Sequence, residues 1–288
     1  LSFKPLKLKE VITEIYQRSG LWFINTIARS AAYKVDRDIA YGKHARQRLD
    51  HYRLADHADR PTVVFYYGGN WRSGSKEDYR FVADTLLAAG CNVIVPDYRL
   101  YPAVRFGDIR EDAAAAFQHA CELVPEQSIF VMGHSAGAQL GALLTLDAQT
   151  NVHHRRIMGF IGLAGPYDFY PFTEDDHWDL FAPEDHYPQS QAVNYVRADA
   201  APLYLLHGED DRRVRRGHSK SLMEKQQAAG GIAKREVYAK LGHVEIILAF
   251  SRVHRSNSAV VRDIRNFLQS EENDTNKINL KEASNGTK

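Results

Sequence analysis

The sequence predicts an α/β protein with a mostly parallel central sheet and helices on both faces. Three observations carry this reading. Strand-like runs alternate with helix-period segments over about 200 residues, the order produced when crossover helices join parallel strands. The runs are apolar without alternation, as in Thr62–Tyr67 (TVVFYY), which suits strands covered on both faces. Finally, Ile129–Gly137 (IFVMGHSAG) reads as a buried strand that breaks at Gly-x-Ser-x-Gly and passes directly into a helix.

The chain has 288 residues, enough for one large domain with extensions. The pattern divides it into an amphipathic N-terminal extension (1–29), a principal domain (30–269) and a polar tail (270–288) that is expected to be disordered. Lys+Arg of 37 against Asp+Glu of 36 leaves no net field to attract nucleic acid or anionic lipid, so a nucleic-acid partner is disfavoured. Cys91 and Cys121 read as ordinary buried thiols, with no disulfide framework and no zinc motif. No apolar run approaches the roughly 18 residues that cross a bilayer, so no transmembrane segment is expected. The chain starts at Leu1 rather than a methionine, which leaves a leader peptide undetermined, and a cytoplasmic location is the working expectation. Nothing in the pattern sets the oligomeric state.

Taken in order, residues 8–19 place Leu8, Val11, Ile12, Ile15 and Tyr16 at helical spacing, ended by Ser19-Gly20. Asp38–Gly42 and Gln47–Arg53 read as two short strands joined by a polar turn, an antiparallel start to the sheet. The strand Thr62–Tyr67 meets Gly68-Gly69; a helix pattern over Lys76–Ala89 and a strand at Cys91–Val95 follow. Next come a helix over Asp108–Val124, the elbow strand, a helix over Ala136–Asp147 and a strand at Ile157–Leu163. Residues 168–200 hold Phe172, Trp178, Phe181 and Tyr187 among many acids and are long for a simple connection, so they are expected to form a cap over the site. The remaining elements are strands at Leu203–Leu206 and Lys234–Tyr238, a helix over Arg215–Ala229 and a final helix over Ala259–Gln269.

In such sheets ligands bind at the carboxyl ends of the strands, where the candidate chemistry lies. Gly133 and Gly137 flank Ser135 because a side chain at either place would clash in the sharp turn. A serine hydroxyl needs a base within hydrogen-bond reach and an acid to orient it. Of thirteen histidines, His243 suits best, delivered by the compact loop Ala239–Gly242 after a strand; His134 and His207 read as structural neighbours. The acid belongs between serine and base, after a strand. Asp211 in His207-Gly208-Glu209-Asp210-Asp211 is preferred, with Asp210 and Asp168 as alternatives. The candidate oxyanion donors are the N–H groups of Ala136, at the helix start, and of Gly69 and Asn70 after the glycine pair. Arg212, Arg213, Arg215 and Arg216 read as a solvated helix start rather than a subsite for an anionic substrate.

Together these residues resemble the α/β-hydrolase superfamily, in its carboxylesterase branch near hormone-sensitive-lipase-like esterases and kynurenine formamidases. The resemblance runs from about Asp38 to Leu268 and rests on YYGGNWRSGSK, PDYRLYP, GHSAGA, HGEDDRRV and LGH. Tyr67 stands where relatives carry the histidine of HGG, and Asn70 where lipase-like members carry a third glycine. The resemblance implies an α/β-hydrolase fold and hydrolysis of a small-molecule ester or amide through an acyl-enzyme, with neither metal nor organic cofactor. A small carboxylic ester is the first expectation and an N-formylkynurenine-type amide the second. A catalytically inactive scaffold that binds a ligand is the alternative of another class, disfavoured because no triad member is missing.

Overall fold

In the computed structural model, residues 33–56, 58 and 60–285 are described, the last twelve of them by backbone alone. The N-terminal extension 1–29 lies outside the described residues.

Eight strands form one sheet: β1 (Tyr33–Ala40), β2 (Arg48–Leu54), β3 (Thr62–Tyr66), β4 (Asn92–Pro96), β5 (Ile129–His134), β6 (Ile157–Leu163), β7 (Leu203–Gly208) and β8 (Ala233–Tyr238). Their spatial order is β1-β2-β4-β3-β5-β6-β7-β8. β2 runs antiparallel to both β1 and β4, and the strands from β4 to β8 are mutually parallel. Every residue of β3, β4, β5 and β7 is buried, as the unbroken apolar runs require of strands covered on both faces. The edge strands β1 and β8 alternate or are largely exposed.

The helices are α1 (Arg80–Ala88), α2 (Phe106–Leu123), α3 (Ala136–Leu146), α4 (Asp175–Leu180), α5 (Gly217–Ala228), α6 (Glu245–Leu248) and α7 (Ala259–Asn285). α2 buries Phe106, Ile109, Ala113, Ala116, Phe117 and Ala120 on one stripe. α3 is buried on every side, so its small and apolar residues all serve packing. Its Gly141 lies so close to β6 that a Cβ there would stand 2.7 Å from the Phe160 ring.

The chain leaves β3 toward β4 and then crosses to β5 on the other side of β3. The order of winding therefore reverses between β3 and β5, which opens a crevice at their carboxyl ends. The Gly68-Gly69 loop and Ser135 both sit at that crevice.

Two expectations need correction. The helix expected over Lys76–Ala89 starts as a 3-10 turn, Lys76–Tyr79, before α1. The Lys76 N–H donates to Asp97 Oδ1 (2.8 Å), so this residue is tied to the loop after β4 rather than to a regular first turn. The tail expected to be disordered from Ser270 instead continues α7 to Asn285. No glycine or proline interrupts residues 259–285, and Glu271, Glu272, Lys277, Leu280, Lys281, Glu282 and Ala283 favour helix. The polar composition there leaves helix propensity intact.

Candidate active site

Ser135 occupies the bend between β5 and α3 with φ 55° and ψ −122°, a backbone state that non-glycine residues rarely adopt. The bend is tight on both sides. A Cβ on Gly133 would lie 2.2 Å from the Gly137 carbonyl oxygen, and one on Gly137 would lie 2.1 Å from that of Tyr66 in β3. The Ser135 N–H donates to Leu163 O (2.9 Å) in β6, which ties the strained residue to the neighbouring strand.

His243, on the loop between β8 and α6, brings Nε2 to 2.9 Å from Ser135 Oγ and Nδ1 to 2.8 Å from Asp211 Oδ2. Of the three carboxylates considered from sequence, Asp211 is the one that meets His243. The Asp210 side chain is exposed, and Asp168 accepts from Ser221 of α5 and pairs with Lys225 at 3.6 Å. The Asp211 carboxylate is well supplied with donors: Oδ1 accepts from the N–H groups of Arg213 and Val214, each at 2.9 Å. His207 Nε2 lies 3.2 Å from Oδ2 and 2.9 Å from Val214 O, and its one N–H is shared between the two acceptors. Burial opposes ionisation of Asp211, but the hydrogen bonds from His207 and His243 and from the Val214 N–H outweigh it and hold the carboxyl far below its usual range. Gly208 lets this turn touch the base loop, since a Cβ there would stand 2.2 Å from Leu241 O.

His134, expected to be a structural neighbour, is buried beside the base, and its Nε2 sits 3.0 Å from His243 O. The carbonyl can only accept, so Nε2 carries the proton. Burial, with the nearby His243, pushes the His134 pKa down to about 3, and the ring stays neutral. It thus ties β5 to the loop that carries His243.

Across the crevice, Gly69, Asn70 and Trp71 have φ values of 141°, 51° and 59°. For asparagine and tryptophan this conformation costs on the order of 1 kcal/mol or more each, so the surroundings must hold it. The Arg72 and Ser73 N–H groups close onto Gly69 O at 3.0 and 3.1 Å, and Trp71 Nε1 donates to Gln139 Oε1 of α3 (3.1 Å). These bonds close the loop into a tight turn around the Gly69 carbonyl. The Ala136 N–H belongs to the first turn of α3, where amides have no intrahelical partner.

Tyr67 explains how the loop manages without a histidine at this position. Its hydroxyl donates to Asp97 Oδ1 (2.7 Å) and accepts from Arg46 Nη2 (2.8 Å), while its ring stacks on Tyr98 and Tyr79 at 4.8 and 5.5 Å. Asp97 belongs to the PDYRLYP segment, whose Arg99 grips Asp112 of α2 with two nitrogens at 2.8 and 2.9 Å. Sequence reasoning did not assign Arg46, Asp97 or Gln139 to the site. The aspartate and arginine inside the quoted motif were the available signal; Arg46 offered none.

Arg212, Arg213, Arg215 and Arg216 are all exposed, in keeping with a solvated helix start. Among the described residues, no group of three or more His, Cys, Asp or Glu side chains is arranged to hold a metal ion, and no helix is long and apolar enough to cross a membrane.

A family model described as BD-FAE matches residues 49–226, a span that includes Ser135 and Asp211 and stops short of His243. Isoprenylcysteine alpha-carbonyl methylesterase of Arabidopsis thaliana is 25% identical over 273 residues, covering 84% of this chain and 64% of that protein. Kynurenine formamidase of Danio rerio is 28% identical over 140 residues, 46% of this chain and 47% of that protein. The chain thus spans less than two thirds of the length of these curated relatives. Esterase B from Lactobacillus Rhamnosis superposes with a TM-score of 0.78 at 17% identity, over 96% of this chain and 97% of that one, a likeness of fold. Sheet order and family match converge: the chain has the α/β-hydrolase fold and belongs to the BD-FAE family.

Proposed function

We propose that this protein is a serine hydrolase that cleaves small carboxylic esters through an acyl-enzyme, with Ser135 as nucleophile, His243 as general base and Asp211 as its orienting acid. The observation that carries the reading is the unbroken line from Ser135 Oγ to His243 Nε2 (2.9 Å) and from His243 Nδ1 to Asp211 Oδ2 (2.8 Å). Because Asp211 stays ionised, it holds the Nδ1–H tautomer of His243 and leaves the Nε2 lone pair toward the serine.

In acylation, Oγ attacks the ester carbonyl while its proton passes to Nε2. The tetrahedral oxyanion is held by the N–H groups of Ala136, Gly69 and Asn70, aided by the positive end of α3. Collapse expels the alcohol, which takes the proton from Nε2. Water then repeats the sequence against the acyl-serine, releasing the acid and restoring Ser135.

An arylformamidase activity is the second reading, supported by the kynurenine formamidases of Danio rerio, Salmo salar and Scheffersomyces stipitis among the relatives. The same machinery would transfer a formyl group. The test is one rate profile over p-nitrophenyl esters from acetate to octanoate, methyl esters and N-formylkynurenine. The ester reading expects the highest kcat/KM on short acyl chains. Formamide turnover more than tenfold faster would shift the assignment, and no turnover of any substrate would overturn both.

A further inference from the structure

We propose that segment 168–200 is a working part of the oxyanion loop: it clamps the Asn70 side chain, with His177 and Glu174 as positioning residues. This inference rests on the reading of Ser135 and Asn70 given above.

Three successive loop residues are gripped by α4 and its preceding residue. Asn70 Nδ2 donates to Glu174 Oε2 (3.0 Å), and His177 Nε2 donates to Asn70 Oδ1 (3.1 Å), so both ends of the amide are engaged. The Trp71 ring packs edge-on against Phe181 and His177 at 5.1 and 5.5 Å and stacks on Phe169 at 5.9 Å. Arg72 Nη2 pairs with Asp176 Oδ2 at 2.7 Å. The helix is anchored independently, since Arg105 at the start of α2 pairs with Asp179 at 2.6 Å.

This clamp accounts for asparagine at a position where glycine would reach φ 51° without strain. Glycine offers nothing to hold. With Asn70 held at both ends, its Cα, and with it the turn that carries the Gly69–Asn70 peptide, cannot shift without breaking hydrogen bonds to residues 104 and 107 positions away in sequence. His177 is buried, so its bond to Asn70 is little diluted by water, whereas Glu174 is exposed and contributes the smaller share. The oxyanion site is then complete only while α4 is seated. A substrate that displaces the segment loosens the donors it needs; one that fits beneath it keeps them.

The test compares the full chain with three variants. His177→Phe keeps an aromatic ring among Trp71, Phe172 and Phe181 but removes the donor; His177→Gln restores a donor; Glu174→Ala removes the exposed acceptor. Deleting an oxyanion donor costs roughly 10²–10³ in rate, so a donor that is displaced rather than lost is expected to cost about tenfold. His177→Phe is expected to lower kcat about tenfold with KM within about twofold, and Glu174→Ala to lower it by about threefold, on the same scale. His177→Gln is expected to recover most of the loss. The affinity of a trifluoromethyl ketone, which forms a tetrahedral adduct on the serine, is expected to fall by the same factor as kcat/KM; a purely structural role would not link the two. If His177→Phe does not fold, Glu174→Ala decides. Unchanged kcat in both variants, or a rise in KM alone, overturns the clamp while wild-type turnover leaves the serine mechanism standing. A wild type that neither hydrolyses esters nor forms the ketone adduct refutes that mechanism instead.

Discussion

Replacing Asp211 by asparagine tests the relay through an effect that can be worked out atom by atom. The Arg213 and Val214 N–H groups both donate to Oδ1 at 2.9 Å, and in the variant they continue to require an oxygen there. The amide NH2 is therefore turned to the place of Oδ2, 2.8 Å from His243 Nδ1. A donor facing Nδ1 forces the proton of the neutral imidazole onto Nε2, where it meets Ser135 Oγ and cannot accept the serine proton. Loss of the orienting acid by this tautomer change costs about 10⁴ in kcat, equivalent to about 5.5 kcal/mol of transition-state stabilisation, with little change in KM. Initial rates on p-nitrophenyl butyrate would measure it. Asp210→Asn is the control: that side chain is exposed, its backbone N–H alone bonds Leu241 O (2.9 Å), and its activity is expected within about twofold of wild type. Retention of more than about a tenth of kcat by Asp211→Asn would refute the relay against the expected 10⁴ loss. A severe loss in Asp210→Asn would refute the choice of acid.

Three further outcomes follow from the same contacts. Gly137→Ala drives a Cβ to 2.1 Å from backbone of β3, and is expected to destabilise by about 3 kcal/mol or more and abolish activity, as read by urea unfolding and ester hydrolysis. Lys76 is buried, with Nζ 2.8 Å from the buried Asp50 carboxylate; Lys76→Met is expected to cost about 3 kcal/mol because Arg37 at 3.4 Å remains, and Lys76→Met/Asp50→Asn is expected to regain part of that. His134, with a native pKa of about 3 against about 6.5 unfolded, binds its proton more readily in the unfolded chain, so stability falls as pH drops from about 6.5 toward 3. The buried His177 and His218 act in the same direction. The His134 share is on the order of 2 kcal/mol at pH 5, and His134→Gln is expected to remove that share of the acid slope in unfolding titrations.

The elements of the candidate site were legible because their causes are local. The Gly-x-Ser-x-Gly turn needs small flanking residues whatever surrounds it, and buried parallel strands show as unbroken apolar runs. Asp211 was separated from Asp210 by turn chemistry, through Gly208 before it and Val214 after it. What escaped the sequence depends on side chains meeting across long separations. Arg46 reaches Tyr67 from the turn between β1 and β2, and Glu174 and His177 meet Asn70 from a segment whose composition suggested only a cover. The continuation of α7 past Ser270 was hidden for another reason: a polar helix and a disordered tail share the same composition, and only the missing helix breakers distinguish them.

The central claim, that Ser135 is the nucleophile, is tested most directly by fluorophosphonate labelling with peptide mass spectrometry. The expected result is one adduct per chain on Ser135, loss of ester hydrolysis in step with labelling, and neither label nor activity in Ser135→Ala. Adduct formation at another residue, or ester hydrolysis surviving in Ser135→Ala, would contradict it.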